Sequence, residues 1–323
     1  MEEVDGNFSN NSELIATFAT NELAVSVTFT AVCAPSLVLY TFTTFLFVSR
    51  YSQLNQRINL TIISLGVADI AALLMDQFYA VPSSYLGRDI LSPYVSPRVL
   101  GWLHQVCFKV QVMHILYIGI NRFICLADKS FASYDIIFKT KQIVVGLIWM
   151  WILGIAQVVM LNAVGCWSSY IPKKHFWSYQ CTVESSTVTT VLQINKYSLI
   201  ILCLAIFNIY GLTWHLVRRL NSTMTLAATE SSLRLRRGAE VKSAIQFIIL
   251  GLVLTAVVAS FFLIPLLPLS PFSMTMIINL SYLIFCSMNP FLYLAFNSQL
   301  RRIAKEAFWK STAGVDRLRY YVR

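Results

Sequence analysis

The amino-acid sequence predicts an all-α membrane protein: a seven-transmembrane helix bundle with its N-terminus outside and a short amphipathic helix after the seventh span. Three observations predict it. Hydrophobic residues make up 57% of the 323 and charged residues 12%, with a mean hydropathy of +0.64. A soluble domain carries about 25% charged residues, so this chain has about half the charge needed to cover a surface in water. Seven apolar runs, at roughly 23–48, 58–80, 99–126, 142–164, 190–217, 242–267 and 272–296, reach the length of about 20 residues that crosses the hydrocarbon core as a helix. Nineteen of the 25 Lys and Arg fall in the segments that are cytoplasmic if the chain starts outside, as the positive-inside rule requires.

The net charge of +10 is therefore a property of inner loops facing anionic lipid and an acidic partner, and no nucleic-acid binding is expected. The chain contains no internal repeat and no low-complexity tract. Glu2, Glu3, Asp5 and Glu13 make the first twenty residues acidic and polar, unlike a cleavable signal peptide, so the first span is expected to act as the insertion signal. The organisation follows as an extracellular tail over 1–22, a membrane domain over 23–297, and a cytoplasmic amphipathic helix and tail over 298–323.

The tail is expected to lack structure and to carry glycans at Asn7 and Asn10, each in an Asn-x-Ser acceptor. Thr41, Thr43 and Thr44 in the first span can bond back to their own helix. The second span holds Ser64-Leu65-Gly66-Val67-Ala68-Asp69, with Asp76 two turns on. A carboxylate in hydrocarbon costs several kcal/mol unless paired or hydrated. Asp69 reads as a switch, as a structural anchor between helices, or as both. Asp76, nearer the outer mouth, is expected to be solvated.

The third span is the most polar, with Trp102, His104, Gln105, Phe108, Lys109, Gln111 and His114. His104, Phe108 and Gln111 share one face by their spacing. Lys109 stands about 20 Å from Arg122 at 1.5 Å per residue, a mid-membrane depth where an ammonium must be paired, neutral or wet. Asp76 is its candidate partner. Lys109 reads either as a ligand contact or as half of an ion pair that only joins helices. At the end of the span, in Gly119-Ile120-Asn121-Arg122-Phe123, Arg122 can snorkel to headgroups or act as a switch.

In the fourth span Trp149 and Trp151 read as packing or interfacial anchors. The outer loop from Gly165 to Thr190 is long enough to cover a pocket. Its Cys166 and Cys181 face the oxidising side and can close a loop with each other, a pairing that geometry must decide. The other five cysteines lie in apolar runs and read as small core residues. Gln193, Asn195 and Lys196 interrupt the start of the fifth span, which ends in Tyr210, His215, Arg218 and Arg219. Arg234-Leu235-Arg236-Arg237 gives the next inner loop a basic surface. In the sixth span Pro265, after Phe261-Phe262-Leu263-Ile264, is expected to kink the helix and let it pivot. In the seventh, Asn289-Pro290-Phe291-Leu292-Tyr293 removes a backbone bond and frees a carbonyl. Beyond it Leu300, Ile303, Ala304, Ala307 and Phe308 alternate with Arg301, Arg302, Lys305 and Lys310, the pattern of a helix lying on the inner leaflet.

Over roughly 23–310 these motifs, in this order, resemble the rhodopsin-like G-protein-coupled receptors: Ser64 to Asp69, Asn121-Arg122-Phe123, Pro265 and Asn289 to Tyr293. The Asn-Arg-Phe variant, the divergent first helix and the short tail resemble the nematode serpentine chemoreceptors, class x or a neighbouring class. The resemblance implies a non-enzymatic plasma-membrane receptor, in cells with sensory cilia also a ciliary one. Its partners would be an extracellular ligand (a chemosensory cue, small molecule or peptide), the lipid bilayer and a heterotrimeric G protein, with no cofactor or metal. Ligand would meet His104, Gln105, Phe108 and Lys109, with Phe262 or Leu263 opposite. Asp69, Asn121, Arg122, Tyr210, Pro265, Asn289, Pro290 and Tyr293 would form the activation switch.

The chain also departs from that pattern. Asn121 replaces the acid beside the arginine, so a weaker resting lock is expected. The first span lacks its Asn. No cysteine caps the outer end of the third span, since Cys107 is too deep, which strengthens the case for Cys166–Cys181. Leu263 stands where a tryptophan is usual, and Gln111 where a sodium site is often lined. The seventh span has no lysine, so an opsin-type Schiff base with retinal is not expected. A channel or transporter using Asp69, Asp76, Lys109, Gln111 and Asn289 is the alternative, although transporters usually show internal repeats. An intramembrane aspartyl protease is disfavoured, because Asp69 and Asp76 share one helix.

Overall fold

The computed structural model describes residues 5–49, 56–91, 97–128, 132–183, 185–224 and 231–306. Seven helices are long and apolar enough to cross a membrane: Asn21–Ser49, Ile58–Tyr85, Pro97–Ala127, Thr140–Ala163, Ser186–Leu220, Glu240–Leu266 and Pro271–Phe296. Their outer faces carry large exposed apolar side chains such as Val38, Phe45, Trp149 and Ile201, as a surface solvated by lipid must. The whole helices are named α1 (Asp5–Ser49), α2 (Gln56–Met75), α3 (Pro97–Ala127), α4 (Thr140–Ala163), α5 (Ser186–Met224), α6 (Ser231–Leu263) and α7 (Pro271–Phe296).

α1 begins at Asp5, so the helix continues through residues expected to be an unstructured tail. No proline precedes Pro35, and nothing in the stretch forbids continued helical bonding. The side chains of Asn7 and Asn10 lie outside the described residues, as do those of Arg234, Arg236 and Arg237.

α2 does not end as the apolar run suggests. A π-helical turn, Asp76–Ala80, joins it to a further helical turn, Val81–Tyr85. Pro82 has no N–H to give the carbonyl one turn back, and a π-turn is a common local answer to such a break. Asp76, seven residues after Asp69 and so on the same helix face, is buried. The expectation that Asp76 is solvated is corrected.

α3 runs through the middle of the bundle, packed against α2, α4, α5 and α6, and Pro97 opens it where an N–H would have no helical partner. α6 ends at Leu263, and Pro265 sits in a 3-10 turn, Ile264–Leu266, followed by extended chain. Pro265 therefore terminates the helix; it does not kink a continuous one. Ser270 then caps α7, its Oγ accepting from the Ser273 N–H at 3.1 Å, and Pro271 follows at the first helical position. Past α7 a further helix covers 298–306. Leu300 and Ile303 turn into the bundle, Arg301, Arg302 and Lys305 stay exposed, and Arg301 donates to the Leu294 carbonyl at 2.8 Å, closing the α7 end. Ala307, Phe308 and Lys310 lie outside the described residues.

Between α4 and α5 an antiparallel hairpin, β1 (Cys166–Ile171) and β2 (Phe176–Cys181), lies across the outer end of the bundle, with Cys166 opposite Cys181.

Candidate functional site

The hairpin is tied down at several points. Cys166 and Cys181 are joined by a disulfide. Its backbone rests so closely on α3 that a Cβ at Gly101 would collide with the Ser168 carbonyl; only glycine permits that approach. The Tyr170 and Ser84 hydroxyls are hydrogen-bonded, and Arg98 stacks on the Trp167 ring at 3.6 Å. At the tip His175 takes a left-handed conformation, φ 55°, and its carbonyl accepts from Asn279 of α7 at 2.6 Å. The His175 ring is buried, which lowers its pKa below the usual histidine value against a partial opposing pull from Glu22.

Beneath this lid lies a cavity of about 1260 Å³ between α3, α5, α6 and α7. Its deep wall is aromatic: Phe108 meets Phe261 at 6.1 Å and Tyr282 at 5.7 Å, both edge-on. A polar chain crosses it from floor to lid. Lys109 donates to Asn195 Oδ1 at 2.8 Å, Asn195 Nδ2 to the Tyr179 hydroxyl at 3.3 Å, and Tyr179 to Gln105 Oε1 at 2.9 Å. Gln105 Nε2 then reaches Ser168 at 3.5 Å. Burial pushes the Tyr179 phenol up to about 12, so it remains a donor at physiological pH.

Of the ligand contacts expected from sequence, His104, Gln105, Phe108, Lys109 and Phe262 line this cavity. Leu263 does not; it is 59% exposed on the outer surface, at the residue where α6 gives way to the 3-10 turn. The expected Lys109–Asp76 pairing is also corrected. Asp76 accepts from Trp177 Nε1 at 2.9 Å and lies 3.8 Å from His104 Nε2, and His104 is stacked on the same Trp177 ring at 4.3 Å. Trp177, Tyr179, Asn195, Phe261 and Tyr282 were not foreseen as cavity residues. Asn195, a polar break in an apolar run, was the one with a signal to follow.

Below the cavity floor, Asp69 is wholly buried and accepts three hydrogen bonds: from the Tyr40 hydroxyl, from Gln111 Nε2 at 2.7 Å and from Asn289 Nδ2 at 2.6 Å. Tyr40 is the contact that the first span makes with this carboxylate. Tyr282, whose ring lines the cavity, donates to Gln111 Oε1 at 3.3 Å, so cavity and Asp69 share one amide. His114 and Trp151 both bond Ser64, at 2.9 and 3.0 Å, fastening α2, α3 and α4 together.

At the inner end Arg122 is 2% exposed. Asn121 Oδ1 accepts from its Nε at 3.1 Å and Nη2 at 2.6 Å, while Nη1 is paired with Glu240 of α6. The arginine is thus held by an acid after all, supplied from another helix. Tyr210 and Tyr293 do not bond Arg122 among the described residues. Tyr210 donates to the Ile115 carbonyl at 2.9 Å, and Tyr293 packs edge-on against Phe47 and Phe247 at 5.4 and 6.4 Å. Pro290 sits inside α7 beside Asn289. Among the described residues no group of three or more His, Cys, Asp or Glu could hold a metal ion.

Comparison with known proteins gives a consistent picture. The family described as serpentine type 7TM GPCR chemoreceptor Srx matches residues 20–297. Among solved structures, squid rhodopsin superposes with a TM-score of 0.70 over 90% of this chain and 87% of its own, at 16% sequence identity; a likeness that remote is one of fold. No curated protein matches the chain in sequence.

Proposed function

The chain belongs to the Srx family of serpentine seven-transmembrane G-protein-coupled chemoreceptors, and from that membership we propose how its parts divide the work. The receptor sits in the plasma membrane, including that of sensory cilia, with residues 1–22 outside and glycosylated at Asn7 and Asn10. Residues 23–297 form the sensing bundle, and 298–323 lie along the cytoplasmic leaflet. It catalyses no reaction. An extracellular small molecule enters beneath the hairpin and contacts His104, Gln105, Phe108, Lys109 and Phe262. Binding favours a form in which α6 moves away from α3, Arg122 is released, and the inner face receives a heterotrimeric G protein. The energy for this is the ligand's differential affinity for the two forms.

The observation that carries the reading is the connection between the two ends. Tyr282 touches the cavity and bonds Gln111, Gln111 bonds Asp69, and Asp69 bonds Asn289 beside Pro290. Asp69, Asn289, Pro290 and Tyr293 then lie between the cavity and the Arg122–Asn121–Glu240 clamp, with Tyr210 bracing α5 against α3. Since Pro265 ends α6, the inner half of α6 moves as a rod and does not bend at the proline.

The test is nucleotide exchange on a panel of G proteins in membranes carrying this chain, beside an Arg122→Ala variant. Exchange above that of empty membranes, lost in the variant, is the expected result. Flat exchange across a broad chemical screen, together with ionic currents or uptake in the absence of G protein, would replace the receptor reading with transport through Asp69, Lys109 and Asn289.

A further inference from the structure

We propose that the cavity is built for a small molecule bearing one carboxylate on an apolar body, with the carboxylate seated on Lys109. This rests on the reading of the cavity as the receptor's ligand site.

Lys109 lies twelve residues into α3, about 18 Å below its outer end at 1.5 Å per residue, and is 3% exposed. An ammonium at that depth requires an opposite charge or water. The fold gives it neither an acid nor an ion pair: among the described residues its partner is the neutral Asn195 Oδ1 at 2.8 Å. The acid sequence position would suggest, Asp76, is occupied by Trp177 and faces His104. An ammonium has three N–H donors. Asn195 uses one, and the remaining two match the two oxygens of a carboxylate in a charge-assisted contact. The bundle has placed a cation in a cavity wall and left its anion to come from outside.

The surroundings fit the rest of such a molecule. Phe108, Phe261, Phe262 and Tyr282 line the same cavity as the ammonium and make part of its wall apolar. Lys173, Lys174 and Lys196 line the upper part of the cavity, against one acid, Glu22. That excess draws anions inward and opposes cations. An amine ligand would need a carboxylate at depth, and none lines the cavity there. The volume of about 1260 Å³ exceeds the usual range of roughly 300–1,000 Å³, so the apolar body is a chain or ring system and not a two- or three-carbon acid.

The test uses the full-length receptor in lipid nanodiscs and reads its melting temperature. The probes are straight-chain and aryl-substituted carboxylic acids of about eight to sixteen carbons, sized to the cavity, each beside its methyl ester and the primary amine of the same skeleton. Acids should raise the melting temperature where their esters and amines do not. Lys109→Met should raise the half-saturating concentration by about tenfold or more, equivalent to about 1.4 kcal/mol, and Lys109→Arg should largely preserve it. Protection by esters or amines equal to that by acids overturns the proposal, as does an unchanged response in Lys109→Met or the absence of protection by any acid. The acid–ester comparison is made on the unaltered receptor, so it stands even where a variant fails to fold. Melting needs no G protein. Acids that bind without stimulating exchange would count against the coupling reading alone, and a neutral agonist that stimulates exchange would count against the carboxylate alone.

Discussion

Glu240→Gln isolates the contact that holds the inner ends of α3 and α6 together. Arg122 is 2% exposed and the Glu240 side chain 14%, so the pair is shielded from water on one side and partly screened on the other. A hydrogen bond to a charged group in such a setting contributes about 1.5–3 kcal/mol. Glutamine keeps an acceptor oxygen but removes the charge, and the two bonds from Asn121 persist, so a loss near the middle, about 2 kcal/mol, is expected. At 1.4 kcal/mol per tenfold, that shifts the balance between held and released forms by roughly 30-fold. A receptor with about 1% of the released form at rest, within the range usual for a minor state, would rise to about 20–25%. Basal nucleotide exchange should increase by a similar factor of about 20, measured at matched surface expression. Spin labels on the inner ends of α3 and α6 should show a second, longer distance. Basal exchange and distances identical to those of the parent would refute the claim that this pair sets the resting balance.

Three further outcomes are expected. Asp69→Asn keeps the shape but replaces one carboxylate oxygen by NH2, which then faces either Gln111, the donor on Oδ1, or Asn289, a donor on Oδ2, so it should cost about 2–3 kcal/mol; an unchanged melting temperature would mean that the hub is not structural. Gly251→Ala drives a methyl into the Tyr210 ring and should cost about 1–3 kcal/mol by overpacking, with Tyr210→Phe losing only the bond to Ile115, about 1 kcal/mol, in the same melting assay. His175 binds a proton less readily in the folded lid than in an exposed chain, so the folded form carries fewer protons and the lid loses stability as pH falls below about 6.5. Limited proteolysis of the hairpin should accelerate between about pH 7 and 5 in the parent and stay flat in His175→Asn, a residue that tolerates the left-handed conformation.

The seven spans were legible because hydrocarbon leaves only two alternatives, a helix of about 20 residues or a strand of about 10 in a closed barrel. Continuous apolar runs of the longer kind fit only the helix. What the apolar count could not show was where a helix changes register. A π-turn before Pro82 extends the span from near residue 80 to Tyr85, and Asp76 lies in the packed interior and not at a wet mouth because the helix and the hairpin continue outward beyond it. Leu263 is the last residue of α6, about 100° around the helix from Phe262, and so faces outward although Phe262 lines the cavity. Glu240 was missed for a different reason. It lies 118 residues from Arg122 at the edge of an apolar run, where a lone acid gives no local sign of its partner. Tyr40 carried no sign either, because a tyrosine in an apolar span reads as packing until its hydroxyl is seen on Asp69.

The polar residues of the bundle are too expensive to be scattered, and they are not scattered. On α3 alone, His104, Lys109, Gln111, His114, Asn121 and Arg122 are all buried, and each but His104 bonds a group of another residue. Hydrogen-bonded amides and carboxylates of this kind have discrete arrangements, because each bond is strongly directional. A displacement of Tyr282 at the cavity wall therefore either leaves its bond to Gln111 intact or breaks it, and a broken bond frees the Gln111 amide, whose Nε2 is held by the Asp69 carboxylate that also accepts from Asn289. In the proposed receptor mechanism that column would carry a change from the outer cavity toward the Arg122 clamp. His104 is the exception, buried at the cavity wall with neither ring nitrogen in a hydrogen bond among the described residues and only Asp76 at 3.8 Å from its Nε2, which leaves hydrogen-bonding capacity facing the proposed ligand site.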